Sequence, residues 1–362
     1  MYPDQFLQKK LDERRADRSL RKLRLPDGKS DFCSNDYLGI VHNRLLQTTT
    51  ESLVSGSGGS RLLAGNYAMI EEVEKHIAAF HQAEAALVFN SGYDANTGLL
   101  SSVPQKGDTV LYDHLCHASI RDGIRLSFAN AFSFAHNDLD DLQKKAASKT
   151  GTLFIVTESL FSMDGDLCPL GALVDVSKKL GAHLVIDEAH ATGIIGQKGE
   201  GLVQQLQLQD AVFARMHTFG KACGCHGAVV LGSNALREYL VNFARSFVFS
   251  TALPEHSIAF VKSSYGIFPL LNDERAHLRK LVAVFQSAAM RYEKLPSQTP
   301  IQAVIIPGNE EVRAVAENLQ ANGFDVRPIL YPTVPRGKER LRIVLHAFNT
   351  IEEVEKLTTL LK

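Results

Sequence analysis

The chain has 362 residues, 45% hydrophobic and 22% charged, the balance of a folded globule with room for two domains of about 150 residues each. Lys plus Arg number 39 against 40 Asp plus Glu, and a net charge of -1 lacks the basic footprint of a nucleic-acid binder. No apolar run approaches the roughly 18 residues needed to span a bilayer, so no membrane partner is expected. Five scattered cysteines, Cys33, Cys116, Cys168, Cys223 and Cys225, do not make a disulfide framework and point to the cytoplasm.

At the N-terminus, Lys9, Lys10, Arg14 and Arg15 are interspersed with Asp4, Asp12, Glu13 and Asp17, too acidic for a mitochondrial transit peptide. The spacing predicts an amphipathic helix with Leu7, Leu11, Leu20 and Leu23 on its packed side. This N-terminal segment is expected to cover 1–45, followed by a large domain over 46–252 and a small one over 253–362. The run Ser55–Ser60 reads by composition as a mobile turn, or else as a tight loop bringing backbone close to a ligand.

From Glu84 to about Ser233, short apolar runs alternate with helical or loop stretches: 85–89, 109–112, 153–156, 183–186 and 228–231. Near-continuous apolar strands belong to a sheet buried on both faces, hence an α/β domain with a mostly parallel sheet sandwiched by helices. The tail is read as a smaller α+β domain. It has a strand over 302–306 and a helix with the stripe Val312, Val315, Ala316 and Leu319 that stops at Gly323. A strand over 341–345 follows, then a last helix opened by a Thr350/Glu353 capping box.

Ligands of such sheets collect beyond the carboxyl ends of the strands. Ser91-Gly92-Tyr93 follows the first run and opens a helix, an arrangement that suits a phosphate but that any strand-to-helix turn can use. After Tyr112 stand His114, Cys116 and His117, without further ligands at metal-binding spacing, so no metal is assigned. Asp187 ends a buried strand, where a carboxylate needs a compensating partner: an ion pair, a backbone cap or a cationic cofactor ring. Lys221, in Thr218-Phe219-Gly220-Lys221, is either a snorkelling surface lysine or a desolvated amine able to form a Schiff base. Together these features fit pyridoxal phosphate: an aldehyde on Lys221, a phosphate anchor at Ser91, Gly92 and Tyr93, Asp187 at the ring nitrogen and His117 over the ring.

The chain also resembles the α-oxoamine synthases, a branch of the fold-type I pyridoxal-phosphate enzymes. The likeness rests on 34–39 (SNDYLG), 56–61 (GSGGSR), 161–166 (FSMDGD), 187–190 (DEAH) with Gly193, 218–221 (TFGK) and 331–335 (YPTVP), in that order. It implies a fold-type I transferase with a seven-stranded sheet, working as a homodimer. It implies that Lys221 carries the cofactor and moves the Cα proton. Ser162, His190 and Thr218 are implied to contact the cofactor, and Asn35 and Arg342 to receive the amino-acid carboxylate. The segment Leu11–Ala16 with Arg21 resembles members that condense L-alanine with a pimeloyl thioester, carried by coenzyme A or a carrier protein. Arg21 would meet the far carboxylate and Thr333 would line the acyl site. Glycine C-acetyltransferase, 5-aminolevulinate synthase and serine palmitoyltransferase share the chemistry and remain alternatives. A catalytically silent partner subunit is disfavoured by Lys221. Ala191, His226 and Leu330 depart from the family pattern, which bears on acyl specificity rather than on the cofactor.

Overall fold

All five apolar runs become strands, because each places large aliphatic side chains on both faces of one sheet. Phe154, Val156 and Val185 join the core on one face, and Leu153, Ile155, Leu184 and Ile186 the core on the other. The computed structural model describes every residue except 1, 3, 24, 26 and 49–52. After a two-residue strand, Ser30–Asp31 (β1), come β2 (Ala85–Phe89), β3 (Thr109–Asp113), β4 (Asn130–Phe134) and β5 (Leu153–Glu158). They are followed by β6 (His183–Asp187), β7 (Ala214–Thr218) and β8 (Ala228–Gly232). The order across the large sheet is β2-β8-β7-β6-β5-β3-β4, and only β8 runs against its neighbours. The mostly parallel seven-stranded sheet of a fold-type I transferase is therefore present.

The chain divides into two compact units: Asp36–Ser162 with Leu167–Arg275, and Met1–Asn35 with Met163–Asp166 and Ala276–Lys362. The boundary falls after Arg275 rather than at 252/253. Helix Glu255–Ile267 packs on helix Ala68–Phe80, where Phe80 meets Tyr265 and Phe268 edge-on at 5.5 and 5.6 Å. The first boundary also moves from 45/46 to 35/36, because Tyr37, Leu38 and Ile40 are buried in the larger unit.

The smaller unit contains β9 (Glu293–Lys294), β10 (Ile301–Ile305), β11 (Phe324–Asp325), β12 (Arg327–Ile329) and β13 (Arg340–Val344). An antiparallel sheet of order β12-β13-β10-β9 stands beside a short parallel pairing of β1 with β11. Val312, Ala316 and Leu319 of helix Asn309–Ala321 are buried, and the Thr350/Glu353 capping box opens helix Ile351–Thr359. The N-terminal expectation is corrected. Helix Gln8–Ala16 has no buried residue, Leu7 and Leu11 are exposed, and Leu20 and Leu23 lie beyond its end. The backbone turns left-handed at Arg18 (φ 50°) and breaks the period.

Candidate active site

Parallel strands deliver their last residues to one edge of the sheet, and here those residues are polar: Asp113 on β3, Glu158 on β5, Asp187 on β6 and Thr218 on β7. Register sets Glu158 beside Asp187. Asp187 is buried, and neutral donors meet its two oxygens: the Ala189 amide at Oδ1 and the Asn96 side chain at Oδ2, both 2.8 Å away. Glu158 accepts the His117 amide at 2.6 Å. Burial and the neighbouring Asp187 push the Glu158 carboxyl upward, with Lys221 opposing them.

The loop after β2 is shaped by Ser91, which caps helix Gly92–Ser102 by accepting the Asp94 amide at 3.0 Å. A Cβ on Gly92 would stand 3.6 Å from Thr218 Oγ1, so this helix start lies close against the end of β7. Thr218 donates to the Gly227 carbonyl at 3.2 Å and accepts the Gly220 amide at 3.4 Å. Tyr93, half-exposed, donates to Asp122.

Lys221 sits half-buried on the tight turn between β7 and β8. The turn is closed by amide-to-carbonyl bonds from Phe219 to Gly227, from Cys225 to Phe219 and from Gly224 to Lys221. Its charge reaches His117, whose pKa is lowered by desolvation and by Lys221 and Arg121, against the opposing pull of Asp187 and Asp122. His190 is buried and pairs through Nδ1 with the Tyr37 hydroxyl at 2.7 Å. Ser162 is half-buried three residues after the buried Ser159.

The remaining sequence candidates lie in the smaller unit and come together as two pairs. Arg342 donates to Asn35 Oδ1 at 2.9 Å, and Arg21 donates to Thr333 Oγ1 at 3.2 Å. The Gly-rich run is not a loose turn. Ser57 donates to the Ala252 carbonyl at 2.8 Å, Ser60 bridges Thr251, and Arg61 is clamped by Glu71 and the buried Glu74.

Sequence reasoning missed Glu158, Asn96, Ser119 and Tyr37. Glu158 carries the same signal as Asp187, a carboxylate ending an apolar run. Asn96 was visible as an amide between Ala95 and Leu99 on the buried stripe of its helix.

Residues 27–361 match the family model described as aminotransferase class I and II. The chain belongs to that family. It is 40% identical to an 8-amino-7-oxononanoate synthase of Emericella nidulans, over 92% of this chain and 88% of the relative. It is 39% identical to the synthase of the same name from Aromatoleum aromaticum, over 96% and 94%. Among solved structures it resembles the 8-amino-7-oxononanoate synthase of Francisella tularensis, with TM-score 0.77, 27% identity and coverage of 93% and 97%. It also resembles a serine palmitoyltransferase of Sphingomonas wittichii, with TM-score 0.89, 28% identity and coverage of 100% and 97%. Within the aminotransferase family, the chain is thus an α-oxoamine synthase.

Proposed function

We propose that this chain is a pyridoxal-phosphate acyltransferase of biotin biosynthesis. It condenses L-alanine with a pimeloyl thioester to give 8-amino-7-oxononanoate, carbon dioxide and free thiol. One observation carries the reading: Lys221 lies within electrostatic reach of His117 and of Glu158, which register sets beside Asp187, in a chain 40% identical to such a synthase. The serine palmitoyltransferase alternative is weaker, since that likeness comes at 28% identity.

The residues fit the cofactor. Asp187 is a buried carboxylate whose two described bonds come from neutral donors, so its charge is available to a ring cation. Gly92 opens its helix without a side chain, beside the Thr218 hydroxyl. Ser91, Gly92 and Tyr93 would hold the phosphate at that helix start, with Thr218, Ser162 and His190 as further polar contacts. Bound there, pyridoxal phosphate supplies an electron sink for the carbanion formed at the substrate Cα.

Everything else falls to the chain. Lys221 holds the cofactor and takes the Cα proton through Nζ. Asp187 would keep a proton on the ring nitrogen by its charge. His117 would lie over the ring. Asn35 and Arg342 bind the carboxylate of alanine, the guanidinium in a charge-assisted pair, and Arg21 with Thr333 binds the far end of the acyl chain.

The enzyme works as a homodimer in the cytoplasm. This is supported by exposed Val54, Leu62, Leu63 and Phe249 flanking the Ser60–Thr251 bridge, and by five free cysteines. Sedimentation of the holoenzyme tests the dimer. For the reaction, holoenzyme is mixed with alanine, glycine or serine and a panel of acetyl, succinyl, palmitoyl and pimeloyl thioesters, on coenzyme A or on carrier protein. Thiol release and product mass are then measured. Alanine with a pimeloyl thioester is the expected pair, and its failure to react would defeat the reading.

A further inference from the structure

Beneath the strand ends, one chain of hydrogen bonds joins Asp187 to the His117 ring. The Asn96 side chain is 1% exposed, and its Nδ2 lies 2.8 Å from Asp187 Oδ2 and 3.0 Å from Ser119 Oγ. The carboxylate accepts only, so the amide nitrogen rather than the oxygen must face it. The second N–H of that amide then goes to Ser119 Oγ. Ser119 is likewise 1% exposed, and with its oxygen already accepting, its own proton is free for His117 Nδ1 at 2.8 Å. The same ring atom also receives the Ser119 backbone N–H at 3.2 Å, a group that can only donate. Two donors on one ring nitrogen require a lone pair there.

We propose that Asn96 and Ser119 are positioning residues that hold His117 neutral, with its one proton on Nε2, so that the ring meets a bound ligand oxygen as a hydrogen-bond donor and not as a cation or a base. His117 is also the N-cap of helix Ala118–Leu126, and the positive end of that helix disfavours an imidazolium. The charged groups acting on the ring include Lys221 from the β7–β8 turn and Arg121 of its own helix, which oppose protonation. Asp187 of β6 and Asp122 of its own helix favour it, and Glu158 of β5 takes the His117 backbone N–H. The asymmetric hold on Nδ1 decides the tautomer whichever way those charges balance. The inference deepens the proposed function and rests on its placing of the cofactor beside His117.

The test is nitrogen NMR of 15N-histidine-labelled holoenzyme, with the His117 signal assigned by its loss in His117→Gln. The expected result near neutral pH is a proton on Nε2 and a bare, hydrogen-bonded Nδ1. In Ser119→Ala the pKa of His117 should rise and the acid limb of the kcat profile should move up by about one pH unit, the worth of one lost hydrogen bond. Ser119→Thr, which keeps the hydroxyl, should restore both. A proton on Nδ1 in the unaltered holoenzyme would overturn the proposal, as would an unmoved His117 pKa and acid limb in Ser119→Ala. The wild-type spectrum decides even where a variant folds poorly. Failure of the cofactor-site reading shows separately, as lysine-imine absorbance that survives Lys221→Ala.

Discussion

The strand-end cluster of the larger unit and the Arg21–Thr333 pair of the smaller one are both assigned to ligand binding, yet they are built in opposite ways. Asp187 is 5% exposed and takes two hydrogen bonds, one from an amide that is itself buried and bonded onward. Arg21 and Thr333 are both exposed and share one bond of 3.2 Å. Burial makes the first arrangement expensive to alter, because any group left unpaired there costs about 1–3 kcal/mol. Solvent lets the second change at little cost, since exposed polar pairs are worth at most about 1 kcal/mol. The residues proposed for bond-making chemistry sit where the fold is least forgiving, and those proposed for acyl-chain choice sit where it is most tolerant.

The sharpest break of that contrast is Lys221→Ala. Turnover should fall on the order of 10⁴-fold or more, as for other removed covalent groups, together with the visible absorbance of the lysine-bound cofactor; stopped-flow spectra check both. Asp187→Asn should cost on the order of 10²–10³ in kcat while cofactor content, measured after release, holds nearly constant. Arg342→Ala should raise the KM for alanine about 10- to 100-fold with a smaller change in kcat, the signature of a lost charge-assisted bond of roughly 1.5–3 kcal/mol.

Glu188 extends the contrast to stability. Fully buried next to Asp187, it caps Leu202 and Val203 through Oε1 at 2.7 and 3.1 Å, and burial pushes its pKa from 4.5 to about 7. A carboxyl whose folded pKa is raised contributes its full stability below 4.5 and loses it as pH climbs through about 7. Glu188→Gln should therefore show a flatter dependence of the urea midpoint over that window. A variant profile parallel to the wild type would contradict this. At the tolerant end, Arg21→Ala should raise the KM for the pimeloyl donor only about 2- to 5-fold, and salt should shrink the difference.

These contrasts also explain what could be read from the chain alone. The aliphatic strands β2, β3, β5, β6 and β8 were legible, because a strand buried on both faces must be apolar along its length. Two strands of the large sheet were not. β4 lies at the sheet edge with three exposed residues, so its pattern is weak. β7 carries Arg215 and His217 in the core, compensated by contacts no local pattern reveals: Arg215 donates to the His81 carbonyl at 2.7 Å, and His217 Nδ1 lies 2.9 Å from Thr192 Oγ1. Within the site, Lys221, Asp187 and Ser91 were visible because each breaks an apolar pattern at a strand end. Ser119 gave no such signal, since its role depends on a bond to Asn96 from another helix. The N-terminal leucines misled for the opposite reason: their spacing suited a helix, but the backbone reverses at Arg18 before the stripe is complete.

The smaller unit is assembled from the two ends of the chain and from Met163–Asp166 in the middle, with Ser30 pairing Phe324 and Arg340 bonding Asp164. During synthesis the sheet-bearing unit can close as soon as Arg275 has emerged, whereas the N-terminal residues wait for partners made last. Loss of the final strands would leave the large sheet intact in outline while stranding β1 without its hydrogen-bonding edge. Vectorial production thus completes the strand-end cluster before Thr333 and Arg342 are made to join Arg21 and Asn35, and a prematurely terminated chain would carry that cluster with only half of each pair assigned to substrate recognition.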